Sequence, residues 1–249
     1  MSEESGPRAP RTGRVPVCHA AAARSALIAV AVIAGCGRAP DPVQQTSRDL
    51  ERYPEYSVII EDLKVEDGFF PDYFLRLRLM TASGQRVAGK DTLVYEDRVT
   101  DWLEVEEEVM ARYQHYLGMV VASKTLDGGR TTARQAHPPG YQYVGNSQYG
   151  YWGGGGFWQF YGQYAFMSAM LGGFGVGRGD YNDYRRNREV GRPHYGPTRQ
   201  GRPTFGTAGT QTRKTRPNFY QRYQQRSAGG GRGFATRTAS SRGGGRFGK

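Results

Sequence analysis

Hydrophobic and polar positions along this chain follow two rhythms and then lose both. Between Tyr73 and Met80 the alternation is strict, with Tyr73, Leu75, Leu77 and Leu79 on one side and Phe74, Arg76, Arg78 and Met80 on the other. Successive side chains of an extended chain point to opposite faces, so a period of two predicts a half-buried strand. Tyr56–Val65, with Val58, Ile59 and Ile60 in a row, predicts a second strand, Leu93–Thr100 a third and Met119–Ser123 a fourth, with Ser83-Gly84 as a turn signal. From Trp102 the spacing becomes helical. Trp102, Val105, Val109, Tyr113 and Tyr116 fall on one face, Glu104, Glu106, Glu107, Glu108 and Arg112 on the other, and Asp101 stands where a cap belongs. The predicted fold class is α+β: a small antiparallel sheet with one packed helix, followed by an aromatic-Gly segment and a long disordered basic tail.

The expected organisation has five parts. Residues 1–35 read as a removable leader, 36–53 as a tether, 54–126 as the small α+β head, 127–177 as a Gly/aromatic-rich segment and 178–249 as the disordered tail. The tether contains Pro40 and Pro42 and lacks apolar periodicity. Within the aromatic segment, Phe157–Leu171 is nearly all apolar. It is too short to cross a bilayer, which leaves packing on the head or lying in the lipid interface. After Arg178 the chain is dominated by Arg, Gly, Tyr, Pro, Ser and Thr. Such a stretch buries too little surface to offset chain entropy.

The leader changes the picture most. Arg8, Arg11, Arg14 and Arg24 precede an apolar run, Ala26–Gly35, which is immediately followed by Cys36. That run makes about 15 Å of helix, against the roughly 20 residues a membrane span needs. A charged start, a short apolar core and small residues at its end are the parts of a secretory signal peptide. The alternative, a buried core helix with an ordinary thiol at Cys36, is opposed by the run's lack of polar periodicity and by the Gly-Arg-Ala-Pro-Asp-Pro that follows. The tetrad Ile33-Ala34-Gly35-Cys36 resembles the lipobox of bacterial lipoproteins. The resemblance implies that residues 1–35 are removed and that Cys36 becomes the lipidated first residue, with a membrane as partner through the lipid anchor. Gly37, where that family's inner-membrane retention signal has Asp, implies the outer membrane in a host that has one. Cys18 and Cys36 are the only cysteines, so a chain processed in this way has no thiol left for a disulfide, for catalysis or for a metal.

Charge divides the mature chain. Residues 37–130 hold 12 Lys and Arg against 18 Asp and Glu, whereas residues 131–249 hold 18 against 3. The basic half contains two stretches, Gly229–Phe234 and Ser241–Gly248, that look like RGG boxes, whose Arg pairs with phosphate and whose aromatics stack on bases. Behind an exported leader the expected partners are instead anionic envelope polymers or lipid head groups, contacted through the tail. A cytoplasmic RGG-type RNA-binding protein with a misread leader is the alternative.

Candidate chemistry adds little. Gly173–Gly179 superficially resembles a phosphate-binding loop but reads as lacking both flanking elements and the Lys-Ser/Thr ending. Glu104, Glu106, Glu107 and Glu108 read as a solvated helix face. Asp62, Glu66 and Asp72 lie at or beside strand ends, without a cleft to make an acid–base pair of them. His115 and His137 lack His or Cys partners at ligand spacing, and His194 falls in the tail. The expectation is a structural or interaction protein, with no cofactor, no small-molecule substrate and no catalytic residue, and with Cys36 as its one site of modification.

Overall fold

The computed structural model describes residues 40–87 and 89–228. All described residues belong to one compact unit. Cys36, the leader and both RGG-like stretches lie outside the described residues.

The expected tether is largely helix. Asp41 caps helix α1 (Pro42–Asp49) by accepting from Val43 N at 3.0 Å and Gln44 N at 3.4 Å, with Pro42 in the first turn. An acceptor followed by proline is a strong helix start. Val43 and Leu50, seven residues apart on one face, are buried in the main core. Asp41 also accepts from Arg112 Nη1 at 2.5 Å and from Tyr113 OH at 2.8 Å, so the first residues of the fold are tied to the head.

Strands β1 (Glu55–Glu66), β2 (Asp72–Val87) and β3 (Lys90–Val99) form an antiparallel meander within a six-stranded sheet, with β3 at its edge. Strand β4 (Leu103–Val105) follows β3 along the same edge of β2, pairing with Tyr73–Leu75. Ser83-Gly84 is not a turn: β2 runs through it, and both residues pair with β3. The expected helix from Trp102 is also shorter than its periodicity suggested. Leu103 and Val105 alternate as well as they repeat, strand pairing takes them, and helix α2 occupies Glu107–Tyr113. Strands β5 (Val120–Lys124) and β6 (Arg130–Thr131) complete the order β3-β2-β1-β5-β6.

One face of this sheet carries Val58, Ile60, Leu63, Leu75, Leu77 and Leu79, all at most 3 % exposed and gathered in one cluster with Val109, Met110 and Tyr113 of α2. The strict alternation read from Tyr73 to Met80 is the origin of that face. The other face holds Glu55 and Ser57 and is covered by the aromatic segment. There β7 (Gly150–Trp152) and β8 (Trp158–Phe160) form a small hairpin, and α3 (Ala165–Met170) follows. Tyr143, Tyr149, Tyr164 and Met167 make a second buried cluster with Tyr95 of β3 packed against it. Phe157–Leu171 therefore lies against the fold, with Trp158, Tyr164, Met167 and Leu171 buried.

The expectation of disorder from Arg178 onward is overturned for residues 178–228. Helix α4 (Arg178–Glu189), a short hairpin of β9 (Thr198–Arg199) and β10 (Arg202–Pro203), helix α5 (Thr210–Thr215) and helix α6 (Pro217–Ala228) follow one another. Tyr184, Phe205, Phe219 and Tyr223 are buried in the main core. Aromatic rings each remove a large area from water, so a few of them hold a segment that is almost free of aliphatic residues.

Candidate functional site

A bulge in β1 prepares a seam between the acidic head and the basic C-terminal half. Against β2 the register slips between Ile60 and Asp62, leaving Glu61 as the extra residue. A bulge bends its strand and re-aims its side chains, and the consecutive carboxylates Glu61 and Asp62 both reach Arg216, which caps the end of α5. Arg216 Nη2 donates to Glu61 at 2.9 Å, and its Nη1 lies 3.1 Å from Asp62. Arg78 on β2 bonds Glu61 at 2.8 Å and Asp97 at 2.9 Å. Glu61 is the chief reason that the Arg78 guanidinium is held still more firmly protonated than usual. Beside the seam lies a cavity of about 260 Å³, lined in part by Ile59, Leu117, Met170 and Phe205. Its charged groups are engaged with one another, so the seam binds two parts of the fold together rather than offering free charge.

A basic groove opens on the outer side of α6. Phe219 and Tyr223, one turn apart, face the core and turn Tyr220, Gln221, Gln224 and Gln225 outward. Arg202 of β10 and Arg213 of α5 form the other walls of a groove of about 560 Å³ that has no carboxylate in its lining. Lys214 on α5 and Arg199 on β9, the strand paired with β10, are also exposed. A guanidinium presents a planar fork matched to phosphate or carboxylate. Side-chain amides and a phenol add donors and acceptors suited to hydroxyl groups. The groove therefore has the chemistry to hold an anionic, hydroxyl-rich chain.

Two of the histidines, His137 and His194, serve the interior. His137 is fully buried, accepting at Nε2 from Thr131 Oγ1 (3.1 Å) and donating from Nδ1 to the Pro138 carbonyl (2.8 Å). Burial pushes its pKa down to about 4, and in the neutral ring this leaves Nε2 free to accept from the threonine hydroxyl. His194, expected in a disordered tail, is buried. Its Nε2 lies 3.1 Å from Asp180 Oδ1, its Nδ1 lies 3.2 Å from Asn187 Nδ2, and Asp180 also accepts from Tyr141 OH. An imidazole between a carboxylate and a third group is part of a nucleophilic triad, but here the third group is an amide. The cluster joins α4 to the loop that carries Tyr141. Glu55, also fully buried, accepts from Tyr95 OH at 2.5 Å, from Tyr149 OH and from Leu126 N at 2.9 Å.

The other residues singled out in the sequence are not brought together. Glu104 lies on β4 and Glu107 and Glu108 in the first turn of α2. Asp62 belongs to the Arg216 seam. Glu66 pairs with Lys64 at 2.6 Å and faces Asp72 across the β1–β2 hairpin. His115 is exposed, and its carbonyl accepts from Thr207 N at 3.1 Å. The Gly173–Gly179 stretch does run into a helix, α4, contrary to expectation. However, Arg178 N donates to Gly156 O at 3.1 Å, and the first turn already holds Asp180. Among the described residues, no group of three or more His, Cys, Asp or Glu side chains is placed to hold a metal ion, and no helix is long and apolar enough to cross a membrane. Arg202, Arg213 and Tyr220 were missed because the whole region reads as solvated. The usable signal was Pro217 followed by Phe219 and Tyr223 at i, i+4, a helix start with an aromatic stripe. Comparison with known proteins is silent: no family model, no curated protein and no solved structure matches this chain.

Proposed function

We propose that the mature chain is a lipid-anchored protein of the bacterial cell envelope, of structural or interaction type, whose basic groove holds an anionic envelope polymer. Its placement rests on the Ile33-Ala34-Gly35-Cys36 tetrad, with outer-membrane sorting as the expectation from Gly37. The observation that carries the binding half is the groove of Arg202, Arg213, Tyr220 and three glutamines, without a carboxylate in its lining. This shifts the expected contact with anionic material from a disordered tail to a formed surface. Five residues separate Cys36 from the start of α1 at Pro42, a link of at most about 22 Å, so the anchor holds the fold close to the lipid surface.

Two measurements test the reading. The mass of the mature amino-terminal peptide carries an acylated Cys36 if the anchor is real, whereas an intact Met1 with a free thiol at Cys36 removes it. Lipopolysaccharide, compared with its dephosphorylated form, then probes the groove. Binding is expected to weaken with salt and to fall about tenfold or more in Arg202→Ala/Arg213→Ala, on the scale of two charge-assisted contacts. Equal affinity for the dephosphorylated form, or for the double variant, refutes the groove as the binding surface. Tight single-stranded RNA binding by a chain with an unmodified Cys36 supports the RGG-type alternative instead.

A further inference from the structure

Strand β3 is an edge of the sheet, and among the described residues no strand pairs with its outer side. The register fixes which of its backbone groups face outward. Thr100 N donates to Leu77 O at 2.8 Å, and these two residues continue the register in which Val99 faces Arg78. Along an antiparallel ladder, pairs that exchange hydrogen bonds alternate with pairs that do not. Counted from that bonded pair, Arg98, Glu96 and Val94 turn their N–H and C=O groups to β2, whereas Asp97, Tyr95 and Leu93 turn theirs to the open side. An edge of this kind is a template for a further strand.

Beside the open edge lies a groove of about 610 Å³. Met80, Leu93 and Tyr95 line it from the sheet, and Gln163, Phe166 and Met170 line it from the aromatic segment. Phe166 and Met170 are one turn apart on α3, and both are half-buried, as are Leu93 and Tyr95. The groove is preformed: the Tyr95 ring packs 5.2 Å from that of Phe166, and its hydroxyl is held by Glu55. A strand laid along β3 would set every second side chain over this groove. The charges of the edge are ordered too. Thr92–Tyr95 carries none, Asp97 on the groove face is held by Arg78 at 2.9 Å, and Glu96 and Arg98 share the other face. Both are exposed, and neither has an ion pair among the described residues.

We propose that β3 takes up an extended segment of a partner protein as an added antiparallel strand, with alternate apolar side chains in the groove and a basic residue beside Glu96. Opposite charges facing one another across two strands stabilise the pairing. The edge therefore asks for bulky apolar residues opposite Leu93 and Tyr95, a cation opposite Glu96 and an anion opposite Arg98. The strand is not its own complement at the groove, because a second copy paired about Tyr95 sets Leu93 against Asp97 and Val94 against Glu96. In this mode main-chain hydrogen bonds supply affinity, and the pocket for alternate side chains supplies selectivity. The surface shares no lining residue with the basic groove on α6, so both can be occupied at once.

The test titrates the full chain with a synthetic peptide of that pattern, acetyl-Ser-Glu-Thr-Lys-Leu-Thr-Leu-Ser-amide, and follows it by NMR. Saturable binding is expected, with hydrogen exchange slowed at the amides of Leu93, Tyr95 and Asp97 more than at those of Val94 and Glu96, which already donate to β2. Methylating the backbone nitrogens of the two peptide leucines keeps the apolar surface and removes donors to β3. Binding should then weaken about tenfold or more, on the scale of two lost hydrogen bonds. Glu96→Lys should weaken the original peptide about fivefold, and a peptide with Glu in place of its Lys should recover that loss. Absence of saturable binding, equal binding of the methylated peptide, or a loss in Glu96→Lys that the exchanged peptide does not recover overturns the proposal. So does dimerisation of the chain alone with the same amides protected, because a second copy is then the occupant.

Discussion

Arg216 donates to Glu61 at 2.9 Å across 155 residues of sequence. One end of that contact is a bulge residue in the acidic head, and the other is the residue that ends α5 in the basic half. The same guanidinium reaches Asp62 at 3.1 Å. The strong charge asymmetry of the sequence is thus partly satisfied inside one fold, through the formed seam. Only contacts this short matter, because screening removes the interaction of exposed charges beyond about 8 Å at physiological salt.

Arg216→Ala should lower the unfolding free energy by about 1–3 kcal/mol, since it takes a charged donor from two part-buried carboxylates at once and leaves Glu61 with Arg78 and Asp62 with the Leu63 amide. Urea denaturation followed by circular dichroism measures this. A loss within a few tenths of a kcal/mol would mean that the contact is no stronger than an ordinary surface pair.

Truncation after Gly177 should unfold the head rather than merely shorten the protein. It removes Tyr184, Phe205, Phe219 and Tyr223 from the main core, at about 1.5–3 kcal/mol for each large apolar side chain. That total is comparable with the whole stability of a typical domain. Loss of the cooperative thermal transition in the truncated chain is the expected result. A head that keeps a sharp transition would show residues 178–228 to be dispensable for it.

The contrast between strands and C-terminal helices explains what was legible in the sequence. Tyr73–Met80 announces itself because one face of the sheet meets a core and the other meets polar surroundings, and that boundary imprints a period of two. Leu103 and Val105 fit either period, so only the free edge of β2 decides between them. Tyr184, Phe219 and Tyr223 are sparse anchors among arginines, and composition counts the arginines. The order of residues 178–228 comes from packing against rings and carboxylates far away in sequence, such as Tyr141, Glu61 and Asp67. The basic groove exists because α6 is ordered, so it was hidden for the same reason.

His137 should make stability depend on pH on the acid side. In the unfolded chain its pKa is near 6.5, and in the fold burial lowers it to about 4. The unfolded state therefore binds the extra proton first. The contribution of the neutral buried ring is intact above about pH 6.5 and is lost as pH falls towards 4, amounting to about 3 kcal/mol in all. Urea midpoints measured from pH 7.5 to 4 should show this slope in the wild type and a shallower one in His137→Gln, which cannot titrate. Parallel curves would assign the acid loss to carboxylates such as Asp127, whose pKa is lowered chiefly by its bond from Thr125.

Tyr149→Phe removes one hydroxyl and should still be costly. Glu55 has no exposed surface, and Tyr149 OH is one of three donors that meet it. Leu126 N shares Oε1 with Tyr149 and Tyr95 OH occupies Oε2, so both remaining donors are engaged already and the bond that Tyr149 gave to Oε1 is not replaced. A buried charged group with an unmet bond costs about 1–3 kcal/mol or more. Burial and the Glu55 carboxylate both hold the Tyr95 and Tyr149 phenols far above their usual range, so the donors stay protonated wherever the protein is folded. The expected result is a loss of about 2 kcal/mol for Tyr149→Phe. Glu55→Gln in the same background should recover part of it, because the neutral amide is cheaper to leave with an unmet acceptor. If the two changes instead add without coupling in a double-mutant cycle, the hydroxyl and the carboxylate do not stabilise one another, and the second aromatic cluster is held by ring packing alone.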